Sequence, residues 1–187
     1  MTRECTKGTA KRTDRFIPNP LIKGHDVQSS DYTNSGYDRG HMVPAADMKW
    51  SEEAMRESFY LSNICPQHPE LNRRRWKDLE EKARNWAVAD SAIIIICGPL
   101  IADRCQTIGK SKVAIPDSFF KVVLSPYVSS PQAIGFLFKN ERSANPLHTY
   151  VVSVDSIEAL TGMDFFSELS DSIENIIAVP YTNLTLP

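Results

Sequence analysis

The sequence predicts an α+β fold, with a mainly antiparallel central sheet flanked by helices. Three observations carry that prediction. One long segment, about residues 70 to 89, has no Gly or Pro and repeats apolar residues at helical spacing. Several short β-branched and aromatic runs are separated by turn formers. Strands and helices do not alternate regularly, as a parallel βαβ sheet would require.

The elements follow in chain order. The first forty residues are polar and rich in turn formers, and Ile17-Pro18-Asn19-Pro20 reads as extended because a residue before proline is pushed out of the helical region. Gly24 to Gly36 reads as a long polar loop. Ser51 is a helix N-cap, with Glu52 and Glu53 in the first turn complementing the helix dipole, so a short helix runs to about Ser58. Phe59 to Cys65 is strand or extended chain ending at Pro66. From Glu70 to Ala89, Trp76, Leu79, Ala83 and Trp86 share one helical face. Ala92 to Cys97 is a buried strand closed by Gly98-Pro99. Phe119 to Leu124 and Ala133 to Phe138 form an antiparallel hairpin around Ser125-Pro126 and Ser129-Ser130-Pro131. Val151 to Val154 is a further strand. Asp155 or Ser156 caps a helix through Leu160, which Thr161-Gly162 stops.

A chain of 187 residues with 42% hydrophobic and 24% charged residues suits one compact domain with a sizeable core. The net charge of -2 argues against coating nucleic acid through a global positive field, but a local basic groove is compatible with it. Basic residues do cluster: Lys7, Lys11, Arg12 and Arg15 in one group, and Arg73, Arg74, Arg75 and Lys77 in another. Taken alone, each cluster reads first as solvated surface. Ile93 to Ile96 is far too short to span a bilayer, and Met1 leads straight into Thr2-Arg3-Glu4-Cys5 without a leader's apolar run. The cysteines Cys5, Cys65, Cys97 and Cys105 include no Cys-x-x-Cys pair, which disfavours a structural zinc site; Cys97 reads as a small core residue, and Cys5 with Cys105 as a pair open to oxidation.

The chemistry-bearing segment is Tyr37-Asp38-Arg39-Gly40-His41-Met42-Val43-Pro44. Gly40 permits a tight backbone between two functional side chains. A histidine takes a proton from water near neutral pH, so His41 is a candidate general base. Arg39 offers a rigid fork of donors for a phosphate. The alternative is a polar loop in which Asp38 and Arg39 pair. On the long helix, with Asn72 at zero, Trp76, Leu79 and Ala83 fall within about 40° and Glu80 about 80° away, whereas Lys77 and Arg84 lie on the flank or far side. Asn72 thus falls on the burying face, where an amide needs a partner, and Glu80 on its rim. A hydrated metal ion would satisfy both. A cap or loop contact for Asn72 and an i, i+4 pair of Glu80 with Arg84 are the alternatives. One amide oxygen with several waters suits magnesium and suits zinc poorly. Asn63 and Gln67 read either as turn amides or as groups that position the histidine, the substrate or the metal's waters. A cysteine hydrolase built on Cys65 and His68 is disfavoured, because catalytic Cys/His pairs usually meet through the fold.

These segments resemble the DNA/RNA non-specific endonuclease family, the ββα-metal (His-Me finger), endonuclease G-like nucleases. The resemblance runs from about Arg12 to Phe166. It rests on Tyr37-Asp38-Arg39-Gly40-His41-Met42 with Pro44-Ala45-Ala46-Asp47-Met48, on Ser62-Asn63-Ile64-Cys65-Pro66-Gln67, and on Leu71-Asn72 with Trp76 and Leu79-Glu80. Supporting matches are Asp14-Arg15-Phe16, Cys97-Gly98-Pro99, Ile115-Pro116-Asp117 with Phe120-Lys121, and Leu160-Thr161-Gly162 with Asp164-Phe165-Phe166.

The resemblance implies a metal-dependent, largely sequence-non-specific endonuclease acting on DNA and RNA and leaving 5′-phosphate and 3′-hydroxyl ends. It implies His41 as general base and Asn72 as the direct ligand of Mg2+, with Mn2+ or another divalent cation as the alternative. Glu80 is then reached through metal-bound water. Arg15 and Arg39 position or neutralise the phosphate, Gln67 and Arg73 join them in substrate binding, Asn63 supports the histidine, and Asp38 and Gly40 support the motif. The expected organisation is a single nuclease domain over 1–187 that lacks N-terminal strands usual in the family. A secreted or periplasmic location follows from the family habit. Oligomeric state is open, a homodimer being one alternative. The alternative function is a catalytically weakened nucleic-acid-binding module using the same groove.

Overall fold

The computed structural model describes residues 1–24, 27–129 and 131–167. His25 and Asp26 of the predicted polar loop, Ser130 of the predicted hairpin loop and 168–187 of the predicted domain lie outside the described residues.

The chain opens with a 3-10 turn at Glu4–Lys7 and an irregular stretch that docks at Ile17, whose N–H donates to the Phe59 carbonyl and whose carbonyl accepts from Leu61. A second 3-10 turn, Ser29–Tyr32, buries Asp31 and Tyr32 inside the predicted polar loop. Asp31 tolerates burial because its carboxylate accepts backbone N–H groups from Gln28 at 2.8 Å and Ser111 at 3.1 Å.

Strand β1 (Asp38–His41) follows, where the residues alone suggested a tight backbone with a polar loop as the alternative. Gly40 is not in a left-handed conformation. Its missing side chain serves a close approach instead: a Cβ there would meet Gln67 Oε1 at 2.3 Å. Helix α1 (Glu52–Glu57) starts as predicted, with Ser51 Oγ accepting from the Ala54 N–H at 3.2 Å. Strand β2 (Ile64–Gln67) then pairs antiparallel with β1, setting Gly40 opposite Cys65 and His41 opposite Ile64.

The predicted long helix has two parts. Leu71–Trp76 is π-helical, and α2 (Lys77–Ala89) is regular. The wide turn explains why Leu71 and Trp76, five residues apart, are both buried. Strand β3 (Ile94–Leu100) continues through Gly98-Pro99 rather than ending there. It is an edge strand, where proline's missing N–H breaks no ladder. A small hairpin, β4 (Thr107–Ile108) and β5 (Val113–Ala114), precedes the central pair β6 (Ser118–Ser125) and β7 (Gln132–Lys139). Strand β8 (Val151–Val152) is shorter than predicted, because Ser153, not Asp155 or Ser156, caps α3 (Val154–Thr161) by accepting from the Ser156 N–H. Gly162 ends that helix at φ 67°, as its left-handed tolerance allows.

The four-stranded sheet runs β3-β6-β7-β8, with every neighbouring pair antiparallel. Its two faces follow from strand alternation. One face sets Phe119, Val123, Phe136 and Phe138 against Trp76, Leu79, Ala83 and Ala87 of the long helix. The other sets Phe120, Val122 and Leu124 against Val154 and Ile157 of α3. The β1–β2 hairpin lies beside this layer, tied to it by the Trp76 Nε1–H, which donates to the His41 carbonyl at 3.1 Å. All four cysteines are free thiols, so the suggested Cys5–Cys105 pair is not formed. No described helix is long and apolar enough to cross a membrane.

Candidate active site

His41 ends β1, and the chain around it is held from several sides. The Met42 N–H donates to the Asn63 carbonyl at 2.9 Å. The Asn63 side chain clamps Val43, accepting from its N–H and donating to its carbonyl, both at 2.9 Å. Its Nδ2 also donates to the Ser58 carbonyl at 2.8 Å. Asn63 therefore braces the segment after the histidine, and its amide has little capacity left for a ligand. The imidazole packs edge-on against Phe59, with centroids 4.9 Å apart, and against Phe16 at 5.6 Å. Burial and the Arg12 guanidinium push the His41 pKa down to about 4, while Asp14 and the Arg39 backbone oppose them. His41 is thus neutral at pH 7 and free to accept a proton.

The helix begins beneath this hairpin. Asn72 Nδ2 donates to Asp38 Oδ2 at 3.0 Å, which leaves Oδ1 as the amide's acceptor. Arg73 grips Asp38 with two bonds, 2.8 Å from Nε and 2.7 Å from Nη2. Burial raises the Asp38 carboxyl, but the hydrogen bonds from Arg73 and Asn72 outweigh it and hold the group below its usual range. Asp38 therefore pairs with the helix start and not with Arg39. The Arg39 Nη2 donates to the Ser29 carbonyl at 2.6 Å, and the guanidinium stands over the rings of Phe16 and Tyr32 at 5.4 and 5.5 Å.

Glu80 stands two turns further on. Burial pushes its carboxyl up to about 7, and Asp47 adds to this while Lys121 and Arg84 work against it. The suggested Glu80–Arg84 pair does not form, because Arg84 Nη1 turns to Asp47 at 2.8 Å. A carboxylate short of counter-charge beside an amide oxygen of fixed orientation is a donor set that fits a hard, hydrated divalent cation. Among the described residues there is no cluster of three His, Cys, Asp or Glu side chains, the kind zinc would call for.

These groups meet in a cleft of about 450 Å3 lined by Arg12, Arg39, His41, Pro44, Ala45, Ala46, Asn72, Arg73, Lys77, Glu80 and Arg84. Five cations and one carboxylate line it, in a chain whose net charge is -2. The cleft thus concentrates a positive field on a nearly neutral protein, as a polyanion site requires.

The structure brings His41, Arg39, Asn72, Arg73 and Glu80 together. It sets Gly40, Asn63 and Gln67 behind them. Gln67 is fully buried against Gly40, away from the cleft, and its amide has no hydrogen-bond partner among the described residues. Arg15 lines a neighbouring groove of about 900 Å3 with Thr9, Lys11, Thr13, Ile17 and α1 residues. In an extended stretch alternate residues point to opposite sides, so Arg12 reaches the histidine and Arg15 does not. Arg12, Lys77 and Arg84 also line the cleft, although the sequence pattern placed Arg12 and Lys77 only in basic clusters and put Lys77 and Arg84 on the helix flank or far side. For Arg12 the signal was its odd spacing from Arg15. For Lys77 and Arg84 a regular helix gives the wrong phase: the π turn closes on i+5, so Lys77 falls roughly beneath Asn72. The same turn rotates Asn72 off the burying face and into the cleft.

The comparisons agree with this geometry. The model of the DNA/RNA non-specific endonuclease family matches residues 1–172. The chain is 35% identical to Nuclease 1, mitochondrial, of Schizosaccharomyces pombe, covering 85% of this chain and 55% of that protein. It is 36% identical to human Endonuclease G, mitochondrial, covering 75% of this chain and 52% of that one. A nuclease of the cyanobacterium Nostoc is 33% identical, covering 91% and 66%. A chain in the crystal structure of the EndoG/EndoGI complex superposes with a TM-score of 0.84 at 28% identity, covering 91% of this chain and 77% of that one. The chain spans about half the length of the mitochondrial relatives it matches. These relatives correct the expected secreted or periplasmic location, since they are mitochondrial nucleases. That expectation rested on the family habit and on a leader supposed to have been lost, neither of which is a feature of the residues present. By its cleft, its topology and its match over residues 1–172, the chain belongs to the DNA/RNA non-specific endonuclease family.

Proposed function

We propose that this chain is a metal-dependent endonuclease that hydrolyses phosphodiester bonds in DNA and RNA with little sequence preference. The observation that carries the reading is the neutral His41 facing the same cationic cleft as Asn72 and Glu80. Asn72 would hold the cation through Oδ1, and Glu80 would accept hydrogen bonds from its waters. When bound, Mg2+ or another divalent ion supplies Lewis acidity against the charge that builds on phosphorus and the leaving oxygen.

The chain's own residues supply the rest. His41 takes a proton from the attacking water, whose oxygen bonds to phosphorus as the P–O3′ bond breaks. The departing O3′ takes a proton from solvent water, so the products carry a 5′-phosphate and a 3′-hydroxyl. Arg39 and Arg12 flank the histidine with donors suited to phosphate oxygens. Asp38 fixes the Asn72 amide and holds Arg73 at the cleft mouth. None of these groups reads base edges, so contacts to phosphates predict weak sequence preference and strong inhibition by salt. The whole lies in a single nuclease domain.

The test is nicking of supercoiled plasmid in Mg2+, in EDTA, and by the His41→Ala variant. Mg2+-dependent nicking that both treatments abolish is the expected result. Cleavage surviving both would refute the mechanism, and binding to duplex without cleavage across several divalent ions would favour a binding module.

A further inference from the structure

Lys121 occupies the row that β6 turns toward α2, between Phe119 and Val123. It is 1% exposed, and a lysine is almost never so buried without a charge partner or a role. Its Nζ stands 4.2 Å from the centre of the Trp76 ring. Trp76 in turn holds the His41 carbonyl. The Lys121 charge also reaches Glu80, drawing that carboxyl down against burial. Asp47, likewise buried, pushes Glu80 the other way and is tied to Arg84. Arg84 is thus taken up by Asp47, and Lys121 is left as the buried cation on the side of Glu80 away from the cleft mouth. Lys121 and Asp47 share the wall of a cavity of about 170 Å3 that backs Met42, Val43 and Pro44, the residues next to His41.

Lys121 does not line the cleft, so it acts through other groups. A methionine in its place would fill the row, and replacing buried charge with apolar volume is often stabilising. The cost of keeping a lysine there points to its charge. Resting on the nuclease reading above, we infer that Lys121 is a positioning residue for the reaction: its ammonium, seated on Trp76, steadies the indole that holds the His41 main chain and sets the field at the Glu80 carboxylate.

The experiment is a double-mutant cycle of Lys121→Met with Glu80→Gln, read by single-turnover plasmid nicking, KM and thermal melting. Lys121→Met is expected to melt cooperatively at or above the wild-type temperature, yet to lose at least about tenfold in kcat with KM within about twofold. Lys121→Arg is expected to recover most of that loss. In the Glu80→Gln background, Lys121→Met is expected to cost less than about threefold, because the partner it serves has gone. Unchanged kcat in Lys121→Met, no recovery in Lys121→Arg, or equal losses in both backgrounds overturns the inference while leaving the nuclease reading intact. Where Lys121→Met alone does not fold, the double variant, which removes both charges together, is compared with Glu80→Gln. A further loss above about threefold there overturns the inference. A wild-type chain that does not nick in any divalent ion removes the nuclease reading and this inference with it.

Discussion

The β1–β2 hairpin and the four-stranded sheet treat polar groups in opposite ways. The sheet is ordinary core: its inward rows are aromatic and aliphatic, with Lys121 the exception. The hairpin buries polar atoms without protein partners. Arg39 Nε, His41 Nε2 and both atoms of the Gln67 amide have none, and Arg75 Nε is the only other such side-chain atom among the described residues. Unsatisfied buried groups cost free energy, so their concentration in a four-residue ladder marks where stability has been given up for chemistry. The sheet supplies the rigidity that the hairpin forgoes, and Trp76 couples the two.

The predictions test that division, from the largest effect down. His41→Ala on the hairpin is expected to lower plasmid nicking by about 10²- to 10⁴-fold with an unchanged melting temperature, the range a positioned base supplies. An equal loss of stability would mean that the histidine is core rather than site. Asn72→Ala is expected to lose activity that added Mg2+ restores in part, read as a rightward shift in the metal-activation curve. Gly40→Ala forces a Cβ to within 2.3 Å of Gln67 Oε1. It is expected to destabilise the fold by about 1–3 kcal/mol in denaturant titration. Adding Gln67→Ala, which removes Oε1 but leaves the Gln67 Cβ 2.6 Å away, is expected to return only part of this.

A fourth prediction concerns pH. Glu80 titrates at about 7 in the fold, above its ordinary 4.5. The folded state then holds the extra proton, so the associated stability is full below pH 4.5 and is lost as pH rises through about 7. In EDTA, Glu80→Gln should therefore match wild type at pH 4 and exceed it at pH 8, by up to the order of 3 kcal/mol. Mg2+ should narrow the gap at pH 8. A gap that opens toward acid would reverse the assignment. The smallest effect is expected on the N-terminal stretch. Arg12→Ala should lower kcat, whereas Arg15→Ala should at most raise KM by a few fold and flatten the salt dependence.

Much of the fold was legible because it rests on local pattern. Ser51 with its following glutamates, the aromatic runs of β6 and β7, and the Trp76-Leu79-Ala83 stripe all act within a few residues of themselves. The site was legible where one side chain implies one chemistry, as with His41. It was illegible where direction depends on distant pairing. Nothing local says that Asp38 turns to Arg73 rather than to its neighbour Arg39, or that Arg12 and not Arg15 faces the histidine. Lys121 looks like any strand lysine until the row it belongs to is seen packed under α2. Strand β1 was hidden for a similar reason: Gly40 reads as a turn residue, and its use as a seat for Gln67 needs the partner strand.

The π turn at Leu71–Trp76 has a consequence at the level of heredity. Removing one codon between Asn72 and Glu80 would convert it to a regular helix, with better hydrogen bonds and the same downstream core. Seven regular steps come to about 700°, so Asn72 and Glu80 would still face one cleft. Straightening the turn with every codon kept would instead take eight steps and leave the two about 80° apart. The residue count and the π geometry are therefore bound together: a lineage can lose both at once and keep its cleft, but not the geometry alone.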